Sequence, residues 1–224
     1  QEGVKKYTYS VTEIADFYAE NIRICDGNIT FDFVGPEIRI PDVELGVPVK
    51  VNIENGVAAM AIAWLNGVKP EDLKKGMATF AGPRRRFDFH LKTDQVVLID
   101  DYAHHPQEIA ATLEAAKNYP HKKLWCVFQP HTYTRTKAFL DQFAQALSAA
   151  DEVVLADIYA ARETDTLGIS SADIAERIEK LGTKAHYFKS FDEIETFLLE
   201  NCMHGDLLIT MGAGDIVKVG ENLL

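Results

Sequence analysis

The sequence predicts a mixed α/β protein whose larger part is a mostly parallel, Rossmann-like sheet flanked by helices. Two observations support this fold class. From residue 87 onward, short apolar runs alternate regularly with helix-forming runs of about ten residues or more. Several of the apolar runs are rich in β-branched residues, as in 95–99. Strands that alternate with helices of this length are typical of βαβ units and of a parallel sheet.

Each element of this second part can be placed on the sequence. The predicted strands lie at 87–92, 95–100, 123–129, 152–156, 184–188 and 206–210. The predicted helices lie at 106–118, 134–149, 171–181, 191–200 and 214–222. Only Thr93 and Asp94 separate the first two strands, so we expect an antiparallel hairpin at the edge of the sheet.

The first 86 residues follow a different pattern, which predicts a separate, partial α/β domain. Short alternating runs, typical of strands, lie at 7–11, 20–25, 28–34 and 37–44. Helices are expected at 52–65 and at 70–77, where Pro70 suits the first helical position. The turn signal Gly82-Pro83 lies near the boundary, and we divide the chain into residues 1–86 and 87–224.

Composition limits the kinds of function that the chain can have. The net charge of -11 argues against nucleic acid as the main partner, because phosphate binding needs a surplus of Lys and Arg. No run is long enough to cross a bilayer, so no membrane insertion is expected. Cys25, Cys126 and Cys202 are odd in number and far apart, which suits a reducing cytoplasm and predicts no zinc site. Because the chain begins with Gln, we expect it to be part of a longer protein.

The first chemical motif lies between a predicted strand and a predicted helix, where open α/β sheets bind their ligands. It contains Asp100, Asp101, His104 and His105. A carboxylate there can accept the hydroxyls of a ribose, and an imidazole can accept a proton or hold a carboxylate. Alternatively, Asp101 or His105 only caps the following helix. A metal site at the two adjacent histidines is less favoured, because their side chains diverge.

The second motif, residues 129–136, follows the next predicted strand and opens the next helix. Its His131 and Arg135 should therefore lie at the same sheet edge as the first motif. Arginine offers a forked donor for a carboxylate or a phosphate. The alternative is a helix N-terminus capped by Thr132 or Thr134, with Arg135 in solvent.

Four further patterns are weaker alone. The run Arg84–Arg86 is either a phosphate site or a solvated basic turn in this acidic chain. Asn52 and Asn55 share one face of a helix and can contact a base edge, or they are ordinary surface residues. The turn at 212–214 and the loop at 159–163 follow predicted strands. No Gly-x-x-x-x-Gly-Lys-Ser/Thr phosphate loop occurs in these 224 residues.

Together these motifs resemble the Mur ligase family, and within it the branch that adds L-alanine. The segments that carry the resemblance are 52–59, 82–87, 100–106, 128–136, 159–163 and 212–214. The resemblance implies three domains: a UDP-sugar domain, a central ATPase domain and a C-terminal Rossmann-like domain. This chain would hold the end of the second and all of the third. The phosphate loop and most Mg²⁺ ligands would then lie outside it.

The resemblance also implies an activity and its residues. The activity is the ATP- and Mg²⁺-dependent joining of L-alanine to UDP-N-acetylmuramate through an acyl phosphate, in peptidoglycan synthesis. Adenine would be contacted by Asn52 and Asn55, the ribose by Asp101, and the terminal phosphates by Arg86, with Arg85 as second choice. The binding site of the incoming amino acid would be lined by His104, His131 and Arg135. Arg86 and His104 would be the catalytic residues, and we expect the chain alone not to turn over ATP.

Three positions depart from the family pattern. Val49 and Val51 replace the usual Gly and His before Asn52, and Thr132 stands where some members have Arg. One alternative is a recycling ligase that attaches a ready-made peptide to the same nucleotide sugar, which the His131-x-Tyr133-x-Arg135-Thr136 motif disfavours. Two others are a non-catalytic Rossmann-like nucleotide-binding module and, least favoured, a metal-dependent hydrolase.

Overall fold

A computed structural model of the chain describes residues 4–25, 27–93 and 95–224. The chain forms two compact units that divide between Gly82 and Pro83. The three arginines at 84–86, which the sequence division places with the first part, therefore fold with the second unit. Asp94 of the expected hairpin turn lies outside the described residues.

The described residues of the first unit form a four-stranded sheet with two helices. Its elements are β1 (Tyr9–Ser10), β2 (Phe17–Cys25), β3 (Asn28–Gly35), β4 (Ile38–Glu44), α1 (Val51–Leu65) and α2 (Pro70–Thr79). The strands lie in the order β1-β2-β3-β4, and β2, β3 and β4 are antiparallel. Phe17, Phe31 and Phe33 are fully buried and form its core with Val57 and Met60 of α1.

The second unit contains six strands and six helices among its described residues. Its strands are β5 (Asp88–Lys92), β6 (Val97–Asp101), β7 (Leu124–Phe128), β8 (Glu152–Leu155), β9 (Lys184–Tyr187) and β10 (Leu207–Met211). Its helices are α3 (Pro106–Ala116), α4 (Tyr133–Ala138), α5 (Leu140–Leu147), α6 (Ser171–Lys180), α7 (Phe191–Asn201) and α8 (Val217–Asn222).

The sheet of the second unit confirms the predicted fold class. Its order is β5-β6-β10-β7-β8-β9; β5 is antiparallel and at the edge, and all other neighbours are parallel. Alternate strand residues such as Leu98 and Val127 pack against α7 and α8. Helices α3, α5 and α6 pack side by side as a second layer. The expected edge hairpin and the helix-covered parallel sheet are therefore both present.

Two predicted helices differ in the structure. The single helix expected at 134–149 is broken into α4 and α5 at Phe139, whose backbone (φ −115°, ψ 22°) leaves the helical region. The Phe139 ring instead packs 5.0 Å from the His105 ring. The helix expected from residue 214 begins at Val217. No helix in the described parts of the chain is long and apolar enough to cross a membrane.

The topology brings three loops to one place. β10 lies between β6 and β7, with Met211 in register with both Asp101 and Phe128. The segments that follow these three residues therefore leave the sheet side by side, at the edge where open α/β sheets bind ligands.

Candidate functional site

Arg85 ties two of these loops together from within the second unit. Its Nε donates to Asp100 Oδ2 at 3.0 Å, while Nη1 and Nη2 donate to the carbonyl oxygens of Gly214 (3.0 Å) and Gly212 (2.7 Å). Asp100 is fully buried, and its other oxygen accepts the Thr210 hydroxyl at 2.7 Å. The donors of Arg85 are thus occupied inside the fold, which argues against its use as a phosphate ligand.

Arg86 has a different environment. Its side chain is exposed, and its guanidinium carbon lies 5.4 Å from the centre of the Tyr102 ring. Among the described residues it forms no hydrogen bond or ion pair. Arg86 is therefore the arginine of this pair whose donors are available to an anion.

Asp101 is buried and accepts hydrogen bonds from the backbone. Its Oδ2 accepts the Phe87 N–H and its Oδ1 accepts the Ala103 N–H, both at 2.7 Å. Burial raises the pKa of Asp101, and the two N–H bonds and the nearby Arg86 only partly oppose this. Each carboxylate oxygen keeps a second lone pair, so contact with a ribose stays a prediction.

The two adjacent histidines do different things. His105 caps α3: its Nδ1 accepts the Gln107 N–H at 3.4 Å, and Glu108 accepts the His105 N–H at 3.2 Å. The capping alternative therefore applies to His105 and not to Asp101. His104 is half-buried, with Nδ1 3.4 Å from Glu108 Oε2 and its ring 6.2 Å from the His131 ring. No group of three or more metal-ligating side chains occurs within the described ranges.

His131 and Arg135 carry unsatisfied polar atoms. His131 Nδ1 and Arg135 Nη1 are both buried, and neither has a hydrogen-bond partner in the part of the chain that the structure describes. The His131 ring stacks on Tyr159 at 5.6 Å. Burial, and then the charges of Arg135 and His104, lower the pKa of His131 below its ordinary value of 6.5. Buried polar atoms are rarely left unpaired in proteins, and Arg135 Nη1 can only donate, so this pair is suited to bind an anionic group.

Glu163 is a site residue that the sequence suggested only weakly. Its carboxylate accepts the Thr132 hydroxyl (2.7 Å), the Thr134 N–H (2.9 Å) and the Thr134 hydroxyl. These hydrogen bonds, those from Thr134 first, hold the pKa of Glu163 below its ordinary value. The threonines do not cap α4 themselves, and Arg135 is half-buried, so the alternative of a Thr-capped helix with a solvated arginine is wrong.

The turn at 212–214 is shaped by Gln129. A Cβ on Gly212 would lie 2.8 Å from the Gln129 carbonyl oxygen, and one on Gly214 would lie 2.2 Å from Gln129 Oε1. The glycines therefore allow close packing of Gln129, and their carbonyl oxygens are held by Arg85. Both observations weaken the hypothesis that this turn binds a dinucleotide by itself.

The first unit contains its own cleft, beside α1. Asn52 and Asn55 lie on the same face, as predicted, with Asn55 Nδ2 donating to Asn52 Oδ1 at 3.3 Å. They line a cleft of about 250 Å³ whose other walls are mostly apolar, including Leu45, Met77 and Phe80. Two carboxamides at the edge of an apolar slot can hold a planar heterocycle by its polar edge.

The chain is similar to proteins of one known family. Residues 85–214 match the family described as "Mur ligase, glutamate ligase domain". The chain is similar to UDP-N-acetylmuramate–L-alanine ligase of Parabacteroides distasonis, with 76% identity over 179 residues, which cover 80% of the chain and 39% of the relative. It is 52% identical over 221 residues to the ligase of that name from Agathobacter rectalis, covering 98% of the chain and 48% of the relative. The chain therefore spans less than half the length of these curated relatives.

A solved structure shows the same fold. The crystal structure of UDP-N-acetylmuramate-alanine ligase from Thermotoga maritima superposes with a TM-score of 0.81 at 25% sequence identity. The match covers 97% of this chain and 46% of that one. It includes both compact units, so each has a counterpart in that ligase.

Proposed function

Because the chain belongs to the Mur ligase family, we propose that it is part of a ligase that joins L-alanine to UDP-N-acetylmuramate in cytoplasmic peptidoglycan synthesis. In this proposal the first unit, which ends at Gly82, is the end of the central ATPase domain, and the second unit, which begins at Pro83, is the C-terminal domain. The names of the relatives support this substrate pair.

One observation carries the proposal: the buried, unpaired His131 Nδ1 and Arg135 Nη1. An arginine donor held in a partly desolvated position binds a carboxylate more strongly than it would in water. L-Alanine brings such a carboxylate. His104, whose ring is 6.2 Å from that of His131, completes the lining of the proposed amino-acid site.

The remaining roles concern ATP. The cleft beside Asn52 and Asn55 fits an adenine by size and by its two carboxamides. Arg86 has free donors for the terminal phosphates, and Asp101 keeps lone pairs for the ribose. When bound, ATP and Mg²⁺ would activate the muramoyl carboxylate as an acyl phosphate. The protein's contribution is to position the reactants and stabilise charge, so Arg86 and His104 are the proposed catalytic residues.

The 224-residue chain alone should not turn over ATP, because it has no phosphate loop. ATP hydrolysis by the purified chain, measured as phosphate release, would contradict this proposal. The matched control is the full-length protein under the same conditions.

The proposed substrate is tested with the full-length protein. Phosphate release is measured with ATP, Mg²⁺ and UDP-N-acetylmuramate, with L-alanine or a tripeptide added in turn. Release that depends on L-alanine supports the proposal. Release only with the tripeptide would indicate a recycling ligase instead. No release with either L-alanine or the tripeptide would exclude both ligase activities.

A further inference from the structure

Gln129 carries a polar atom that the described residues leave unsatisfied. The residue follows β7, its N–H donates to Met211 O at 3.0 Å, and its side chain is buried. Its carboxamide oxygen Oε1 is buried and accepts no hydrogen bond within the described ranges. A buried amide oxygen without a donor is destabilising, so one that persists at a sheet edge needs an explanation.

This oxygen lies next to the proposed amino-acid site. The position of a Cβ on Gly214 would be 2.2 Å from Gln129 Oε1 and 2.9 Å from Tyr159 Cγ, so both atoms lie within 3 Å of one point. The Tyr159 ring in turn stacks on the His131 ring. Gln129 Oε1 and the His131 ring are therefore both neighbours of the Tyr159 ring.

The three unpaired atoms of residues 129–135 have complementary hydrogen-bonding properties. Arg135 Nη1 can only donate, Gln129 Oε1 can only accept, and His131 Nδ1 does either, depending on its tautomer. An α-amino acid presents the matching set, because its carboxylate accepts and its amino group donates. Arginine and histidine can hold the carboxylate, which leaves the amino group for the glutamine.

We propose that Gln129 binds the amino group of the incoming amino acid through Oε1. This inference rests on the proposed function. A carboxamide accepts an N–H without removing the proton, so Gln129 orients the amine and does not deprotonate it. Tyr159, which is 39% exposed, lies beside Oε1 at the turn that contains Gly214.

The test uses the full-length enzyme and compares Gln129→Met with the wild type. Methionine has a similar length but lacks the carboxamide acceptor. The KM for L-alanine should rise about tenfold or more, as expected for a lost hydrogen bond to an amine. The KM values for ATP and UDP-N-acetylmuramate should not change. Gln129→Glu, which keeps an acceptor, should retain a KM for L-alanine near that of the wild type.

Propionate, which is L-alanine without its amino group, serves as the control ligand. Its inhibition constant should be the same in the wild type and in Gln129→Met. An unchanged KM for L-alanine in Gln129→Met would overturn the inference. A parallel loss of propionate binding would also overturn it, because the site as a whole would then have been damaged.

The two proposals fail in different ways. A wild-type enzyme without L-alanine-dependent phosphate release would overturn the proposed function itself. An active wild type whose Gln129→Met variant has normal kinetics would overturn only the role of Gln129.

Discussion

Arg85 and Asp100 form an ion pair in which Nε lies 3.0 Å from Oδ2, and their side chains are 24% and 1% exposed, respectively. The same guanidinium binds two carbonyl oxygens of the turn that follows β10. One side chain therefore holds together the end of β6, the residues before β5 and the turn at 212–214. Of the three arginines at the start of the second unit, Arg85 therefore has a structural role.

Replacing Arg85 with Met should lower the free energy of unfolding by about 3 to 5 kcal/mol, because it leaves a buried carboxylate without its partner. Urea unfolding would be followed by tryptophan fluorescence in a Trp64→Phe background. Trp125 of β7 is then the only tryptophan and reports on the second unit. The exposed neighbour Arg84 is the control, and Arg84→Met should change stability by less than about 0.5 kcal/mol. Equal stability of the two variants would contradict the structural role of Arg85.

Replacing Arg135 with Met should weaken L-alanine binding without destabilising the fold. Its Nη1 has no partner among the described residues, so its removal breaks no bond from that atom. In the full-length enzyme, the KM for L-alanine should rise about 10- to 100-fold, since a charge-assisted hydrogen bond contributes about 1.5 to 3 kcal/mol. Lys137→Met, which removes an exposed cation of the same helix, should leave this KM unchanged. A large fall in the melting temperature of Arg135→Met would show instead that the arginine is structural.

Most of the second unit could be predicted from local sequence, because buried parallel strands read as apolar runs such as 124–128. The break at Phe139 could not. Phe139, Phe143 and Leu147 continue a helical spacing, and the contact of Phe139 with His105, which accompanies the break, joins residues far apart in the sequence.

The candidate site, too, could be predicted only in part. The local sequence predicts a site at His131 and Arg135, because a strand end directly precedes them. Glu163 accepts a hydrogen bond from Thr132, which lies 31 residues earlier, and Gln129 packs against Gly214, which is also distant in the sequence. Neither contact can therefore be predicted from the local sequence. His105 shows the opposite case, since its capping role with Glu108 is a local pattern that competes with the functional hypothesis.

Replacing Asn55 with Ala should weaken nucleotide binding more than it affects stability. Asn55 is exposed, lines the cleft and donates to Asn52 Oδ1. It therefore positions the Asn52 carboxamide and also provides its own carboxamide for a ligand. The KM for ATP of the full-length enzyme should rise about tenfold, the effect of one or two lost hydrogen bonds. Asn66→Ala, at the other end of α1, is the matched control. Equal KM values for ATP in the two variants would argue against this cleft as the adenine site.

Glu152 should make the stability of the second unit depend on pH. Its carboxylate is buried and accepts from Lys123 Nζ (3.0 Å), Lys184 Nζ (3.3 Å) and His186 Nε2 (3.3 Å). Burial by itself raises the pKa of Glu152, but these hydrogen bonds outweigh it and hold the pKa below the ordinary 4.5. The stabilisation is therefore complete above pH 4.5 and is lost as the pH falls through the lower pKa of the folded state.

Glu152→Gln isolates this effect. At pH 7 the variant should be less stable than the wild type by about 1 to 3 kcal/mol, because a neutral amide replaces a carboxylate that accepts from cations. The difference should shrink as the pH falls from 4.5 through the lower pKa of the folded state, because the wild-type carboxyl becomes protonated over this range. Glu179→Gln, which changes an exposed carboxylate on α6, is the control and should change stability at pH 7 by less than about 0.5 kcal/mol. Urea unfolding of the three proteins between pH 7 and pH 3 measures this directly, and a pH-independent difference for Glu152→Gln would show that the carboxylate contributes through packing alone.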